Sequence, residues 1–312
     1  MKNPFRKIKS SLRQFGEARK LMHSNGHRFL RPFPPGHFYS PIPDYSEISD
    51  RSSSIFNKNV KELPGIDLRE TEQTELINTF KSYYGDLPWA DEGDEKILRY
   101  RFNNIYFSYG DAVTLYSMMR HFGPKRIIEV GSGYSSAAML DVDELFFNSQ
   151  IEFTFIEPHP DRVRALLSEE VLSRVNLLER PVQQIDLSEF EKLQNGDILF
   201  IDSSHVSKTG SDVNSLIHQI LPYLKPGVII HFHDILWPFE YPKKWLKAGR
   251  AWNEAYMVRA FLQYNSSFEI LFFNSFMEHH HRQMLREALP LMLRQPPAKM
   301  TFGNSSLWLK KM

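Results

Sequence analysis

Cysteine is absent from the 312 residues. That excludes disulfides, a thiol nucleophile and a thiolate metal site, and it leans towards a reducing compartment. No apolar run approaches the roughly 18 residues of a membrane span. The first twenty residues, MKNPFRKIKSSLRQFGEARK, carry positive charge without an apolar h-region, so they do not read as a secretory signal. The expected location is cytoplasmic. Net charge is nearly absent too, at +1, so the chain as a whole is not a polyelectrolyte binder.

What is present is the composition of a soluble globular protein, with 42% hydrophobic and 24% charged residues. A chain this long can bury a sizeable core. The charge is unevenly spread. Met1 to Pro32 hold nine Lys or Arg against Glu17 alone, which leaves the remainder acidic. Ile8, Leu12 and Phe15 sit among them at helical spacing. The readings that stay open are a solvated helical arm, a surface helix in peripheral contact with an anionic membrane, and a contact with an acidic partner. No nucleic-acid motif accompanies the basic stretch, so no nucleic-acid partner is expected.

Residues 27–45, HRFLRPFPPGHFYSPIPDY, are too rich in proline for helix or central strand. Phe29, Phe33, Phe38 and Tyr39 suggest a connector lying on the core. Residues 67–84 have helical spacing. The organisation expected is a basic arm and proline/aromatic connector over 1–45, a helical extension packing on the core over 46–104, and an α/β domain over 105–312. Within that domain DAVTLYSMMRHF reads as a helix capped by Asp111. RIIEV, IEFTFIEP, RVNLLER, GDILFID, KPGVIIHFHD, FEILFFN and SSLWLKK read as strands. Helical patterns lie between most of them, which implies a mostly parallel sheet covered on both faces. The short last strand leaves room for an antiparallel member near the edge.

EVGSGYS joins a strand to a helix, the context a nucleotide-binding turn requires. Gly131 and Gly133 let the backbone approach a ligand closely. A full dinucleotide fingerprint needs a third glycine where Ser136 stands. Glu157 ends the next strand, where a carboxylate can accept ribose hydroxyls. Glu129 adds negative charge, which is awkward for a pyrophosphate and favourable for a sulfonium amino acid.

IIEVGSGYSS, FTFIEPHP and GDILFIDSSH, in this order, resemble the successive motifs of class I S-adenosylmethionine-dependent methyltransferases. The longer GDILFIDSSHVSKTGSDVN…LKPGVIIHFHDILWPFEYP resembles a bacterial subgroup, the "family 24" kind, as do PPGHFYSPIPD and YGDA. The similarity spans roughly residues 34–275. It implies a Rossmann-like, doubly wound, seven-stranded sheet in the order 3-2-1-4-5-7-6, with one antiparallel strand near its edge and an N-terminal extension. It implies S-adenosylmethionine over the ends of strands 1 and 2. By the same resemblance Glu129, Gly131, Ser132 and Gly133 line the methionine part, Glu157 and Pro158 the ribose, and Gln183 the adenine edge. Tyr109 would cover the cofactor.

Asp202 ends the fourth strand and His205 follows in its loop. His231, His233 and Asp234 end the fifth. Neighbouring strand ends lie about 4.8 Å apart, so these groups converge beside the cofactor. Two chemistries compete. One is a divalent metal on Asp202, His233 and Asp234, since catechol-type and macrolide-type methyltransferases hold magnesium at matching strand ends. The histidine departs from their ligand set and suits manganese, iron or zinc better. The other is metal-free general-base catalysis by His205 or His233, with Asp202 useful under either reading. Buried histidines bonded to backbone are the plain alternative.

Other stretches are less specific. His279, His280 and His281 are consecutive on a helix and cannot comfortably share one ion. WPFEYPKKWL suits a substrate lid or simple packing equally. Arg250, Trp252, Asn253 and Glu254 offer polar contacts without a way to choose among them. The function expected is O-methylation of a small-molecule or glycan hydroxyl. Its rivals are a non-catalytic S-adenosylmethionine-binding partner and an NAD enzyme, the latter disfavoured by the missing glycine and by Glu129.

Overall fold

The computed structural model describes residues 32–90, 98–296 and 303–312. The basic arm and Phe29 lie outside the described residues. By chain contacts the described residues form two compact units, 32–56 with Leu246–Ala251, and Asn57–Trp245 with Trp252–Met312. In the first, Asp44 caps the helix Tyr45–Asp50 by accepting from the Ser46 N–H at 2.7 Å. The connector aromatics are not core residues. Phe38 is 80% and Tyr39 67% exposed, and both rings pack on His37 and on each other instead. Closely spaced prolines deny that segment the regular backbone needed to set alternate side chains inward.

The second unit is built on short apolar runs. They form β1 (Arg126–Val130), β2 (Glu152–Ile156), β3 (Asn176–Leu178), β4 (Ile198–Ile201), β5 (Ile229–Phe232), β6 (Phe268–Phe273) and β7 (Leu307–Lys311). The order is β3-β2-β1-β4-β5-β7-β6, as the resemblance implies. β7 runs antiparallel to both neighbours, while the other pairs are parallel. Every residue of β4 and β5 is buried, as expected of central parallel strands covered on both faces. His231 is part of this core. Its ring stacks on Phe200 at 3.7 Å, Nε2 lies 2.9 Å from Ser306 Oγ, and burial pushes its pKa well below the ordinary value.

Two helices brace the sheet. Helix α1 (Glu70–Tyr84) buries Ile77 and Phe80 completely. Helix α2 (Tyr109–Phe122) begins earlier than the sequence suggests, with Ser108 at the N-cap. Asp111 is therefore not a cap. It is fully buried, and Oδ1 accepts from the backbone N–H groups of Ser305 and Ser306 at 2.8 and 2.9 Å and from the Ser306 hydroxyl at 2.8 Å. The Ser305 hydroxyl and the Asn274 amide donate to it as well. This one carboxylate ties α2 to the turn that aims β7 between β5 and β6.

Removing Asp111 would strand several buried donors, each at a desolvation cost. Asp111→Ala is expected to lower the unfolding free energy by about 3 kcal/mol or more in urea titration, with Asp111→Asn costing less. A loss below about 1 kcal/mol, the net worth of one ordinary hydrogen bond, would show that the carboxylate does not hold this junction.

Candidate active site

The carboxyl ends of β1, β2, β4 and β5 are locked side by side. Gly131 N–H donates to Ile156 O at 3.0 Å, Asp202 N–H to Val130 O at 2.8 Å, and His233 N–H to Ile201 O at 2.8 Å. Each bond extends the ladder one residue past a strand end, so the turn, Asp202 and His233 share one rim. Gly131 sits at φ 86°, and a Cβ there would run into the carbonyl oxygen of Asp202. Only glycine meets both conditions. Helix α3 (Tyr134–Phe146) starts directly after Gly133. The Gly133 N–H donates to Ser136 Oγ at 2.8 Å.

The residues assigned to the turn divide into three groups. Gly131, Ser132, Gly133 and Glu157 come together. Glu157 accepts from the backbone N–H of Ser132 at 3.2 Å and of His159 at 2.7 Å, and Pro158 between them is exposed. Gln183 is exposed, and its amide donates to Gly210 O at 3.0 Å, tying two loops together. Glu129 and Tyr109 do not face outward. Glu129 is fully buried and takes the hydroxyls of Ser135, at 2.5 Å, and Ser136. Burial, partly offset by the two serines, lifts its carboxyl to about 8. Tyr109 is 4% exposed, stacked on Phe102 at 5.1 Å with the Arg294 guanidinium beside its ring. Their burial has one cause: strand and helix periodicity turned these side chains into the core.

At the ends of β4 and β5 the charged groups do converge. His205 and Asp234 adopt left-handed backbone, at φ 59° and 56°, which bends both loops over the rim. His205 Nδ1 lies 2.8 Å from Glu254 Oε2, and Nε2 lies 3.4 Å from Asp202 Oδ1 and 3.8 Å from Asp234 Oδ2. Glu254 opens helix α4 (Glu254–Leu262), is 1% exposed, and also accepts from Ser203 Oγ at 2.7 Å. Trp252 packs on the imidazole at 4.3 Å. Burial opposes the His205 imidazolium, yet Asp202, Glu254 and Asp234 outweigh it and hold its pKa well above the ordinary value. His233 behaves alike, raised by Asp234, Asp202 and Asp111 against burial. Its Nδ1 is buried without a partner. Desolvation works against the Asp202 carboxylate, but His233 and His205 keep its pKa below the usual range.

Glu254 was only one of four undistinguished candidates in the sequence. The signal available was its place on the buried stripe of α4, with Ala255, Val258 and Leu262. A glutamate on an apolar stripe needs a buried partner. In the aromatic stretch after β5, Trp237, Phe239, Tyr241 and Trp245 are all buried, as a packing role requires. His279, His280 and His281 face separate surroundings, with Asn59 beside the first and Glu70 beside the last.

A profile of the family described as "Methyltransferase domain" matches residues 128–235, from β1 to the end of β5. An uncharacterized protein of Archaeoglobus fulgidus is 38% identical over 185 residues, covering 57% of this chain and 82% of that protein. The chain belongs to this methyltransferase family. The motifs described above resemble those of class I, S-adenosylmethionine-dependent methyltransferases. Among solved structures, the S-adenosylhomocysteine-bound methyltransferase PaMTH1 of Podospora anserina overlaps 88% of this chain and 99% of its own, at 16% identity and TM-score 0.40. The O-methyltransferase TomG of Streptomyces achromogenes, involved in tomaymycin synthesis and solved with S-adenosylmethionine, overlaps 85% and 96%, at 12% and 0.42. Overlap of that quality says nothing of substrate.

The methyltransferase's own residues fit the cofactor. The glycine turn brings its backbone against the rim without a side chain in the way, and the buried Ser132 Oγ lacks a hydrogen-bond partner that a bound ligand could supply. They do not fit a metal at Asp202, His233 and Asp234. Among the described residues no group of three or more His, Asp or Glu side chains is arranged to hold an ion. The His205 imidazole stands between the two carboxylates where a cation would be held.

Two consequences can be measured. A carboxyl raised to about 8 in the folded state contributes stability that is full below the unfolded pKa of about 4.3 and lost as pH rises through 8. Glu129→Gln should therefore lose less stability than wild type between pH 5 and 8.5 in urea titrations. Parallel curves would contradict the raised pKa. Glu254→Gln removes one carboxylate from His205, so the His205 imidazole should titrate at lower pH by NMR. An unchanged midpoint would show that Glu254 does not hold it.

Proposed function

We propose that this methyltransferase moves the methyl group of S-adenosylmethionine onto a hydroxyl oxygen of a small-molecule or glycan acceptor, with Asp202 as the group that receives the hydroxyl. The observation that carries this is the contrast in exposure at the rim. The Asp202 side chain is 37% exposed, against 15% for Asp234, 7% for His205 and His233, and 1% for Glu254. Asp202 is the open member of an otherwise buried set, and its backbone touches the cofactor turn.

In the reaction the acceptor oxygen attacks the methyl carbon in line with the carbon–sulfur bond. That bond breaks with its electrons going to sulfur, which leaves S-adenosylhomocysteine. The oxygen becomes strongly acidic as the new bond forms, so a carboxylate with a low pKa is base enough to take its proton. Alignment is the protein's main contribution and is worth up to roughly 7–11 kcal/mol of barrier when the geometry is near ideal. His205 keeps Asp202 ionised and oriented from one side, and the His233 charge does so from strand β5. With His205 standing as a cation between the carboxylates, this chemistry routes no step through a metal.

Calorimetry tests the reading. S-adenosylmethionine and S-adenosylhomocysteine should bind with or without EDTA, NAD should not, and Gly131→Ala should abolish binding. Failure of both sulfur ligands to bind would overturn the proposal, and loss of binding on chelation would overturn its metal-free form. With methyl-labelled cofactor and a panel of sugar and phenol hydroxyls, Asp202→Asn should lower transfer about 10²–10⁴-fold. Full transfer by that variant would remove Asp202 from the chemistry, and a panel with no transfer in wild type would favour a binding-only protein.

A further inference from the structure

One cation at the rim, Arg162, favours the Asp202 carboxylate by its charge yet, among the described residues, pairs with no acid directly. Arg162 lies in the first turn of the helix Asp161–Leu166, just beyond Glu157. Its guanidinium lies over the Tyr106 ring at 4.0 Å, and Tyr106 stacks on Tyr134, the first residue after the glycine turn, at 5.9 Å. Its Cδ is 3.0 Å from the place a Cβ on Gly133 would occupy. Among the described residues it has neither an ion pair nor a hydrogen bond. Most arginines nearby are spent: Arg164 on Glu179, Arg174 on Glu144, and Arg99 on Asp141 and Glu144. Arg162 instead rests on Tyr106, which is itself stacked on Tyr134, with its donors unused.

The rim it overlooks is acidic, with Glu157, Asp202 and Asp234 at the strand ends. S-adenosylmethionine carries a sulfonium, an ammonium and one carboxylate. The first two suit such a rim, and the third does not. A carboxylate brought there needs a cation with free donors, and a planar guanidinium can take both its oxygens.

We propose, resting on the reading that the glycine turn holds S-adenosylmethionine, that Arg162 binds the carboxylate of the cofactor's methionine moiety, with Tyr106, backed by Tyr134, bracing the guanidinium over the Gly131–Gly133 turn. It is a cofactor-selecting residue: it favours the intact amino acid over relatives that lack the acid group. The brace reduces the side-chain freedom lost on binding, because the guanidinium is already stacked in place.

The test compares S-adenosylmethionine with decarboxylated S-adenosylmethionine by calorimetry, on wild type, Arg162→Lys and Arg162→Ala. Position 162 is exposed, so folding is checked by thermal melting alone. Wild type should prefer the intact cofactor. Arg162→Ala should weaken the intact cofactor about ten- to a hundredfold, the scale of a charge-assisted hydrogen bond, and leave the decarboxylated one within about twofold. Arg162→Lys should fall between, keeping charge without the fork. Equal weakening of both ligands, or of neither, would overturn the assignment. No binding of either ligand by wild type would instead be a failure of the cofactor reading itself.

Discussion

Gly131 and Asp202 approach so closely that no side chain fits between them, and the rest of the site depends on that approach. It requires left-handed backbone at Gly131, which directs the chain from β1 across the sheet's end before helix α3 begins. It also fixes Asp202 beside the turn, through the bond from its N–H to Val130. Under the proposed function, the turn that holds the cofactor and the carboxylate that reacts are two sides of one backbone contact.

That placement gathers negative charge. Asp202, Asp234 and Glu254 meet around one imidazole, and carboxylates so close must be compensated or protonated. The protein compensates with imidazoles. His205 is wedged among all three, and His233 faces Asp234 with Asp202 and Asp111 in electrostatic range. Glu129, at the end of β1, takes the other course: burial, with no cation beside it to offset the Asp202 charge, raises its carboxyl to about 8 despite the serine hydroxyls. Two environments at neighbouring strand ends hold one carboxyl below the usual range and raise the other to about 8.

Much of this was legible in the sequence, and the gaps have physical causes. Strand runs, the glycine turn and Asp202 at a strand end follow from local pattern, because burial on both faces makes parallel strands read as apolar runs. The strand order came from the motif resemblance. What local pattern does not encode is partnership across long separations. Asp111 looked like a helix cap until Ser305 and Ser306, nearly two hundred residues later, proved to be its donors. Glu254 looked like one polar residue among four until His205 stood opposite it. Phe38 and Tyr39 misled in the other direction, since aromatic content suggests burial while proline-broken backbone left them exposed.

The central claim is that the joined ends of β1 and β4 form a methyl-transfer site with Asp202 at the reacting end. A crystal structure with S-adenosylhomocysteine tests it most directly. The account predicts the amino-acid part over Gly131–Gly133, the ribose on Glu157, and the sulfur facing Asp202 across a gap sized for a methyl group and an acceptor oxygen. S-adenosylhomocysteine bound elsewhere, or with its sulfur turned away from Asp202, would contradict it.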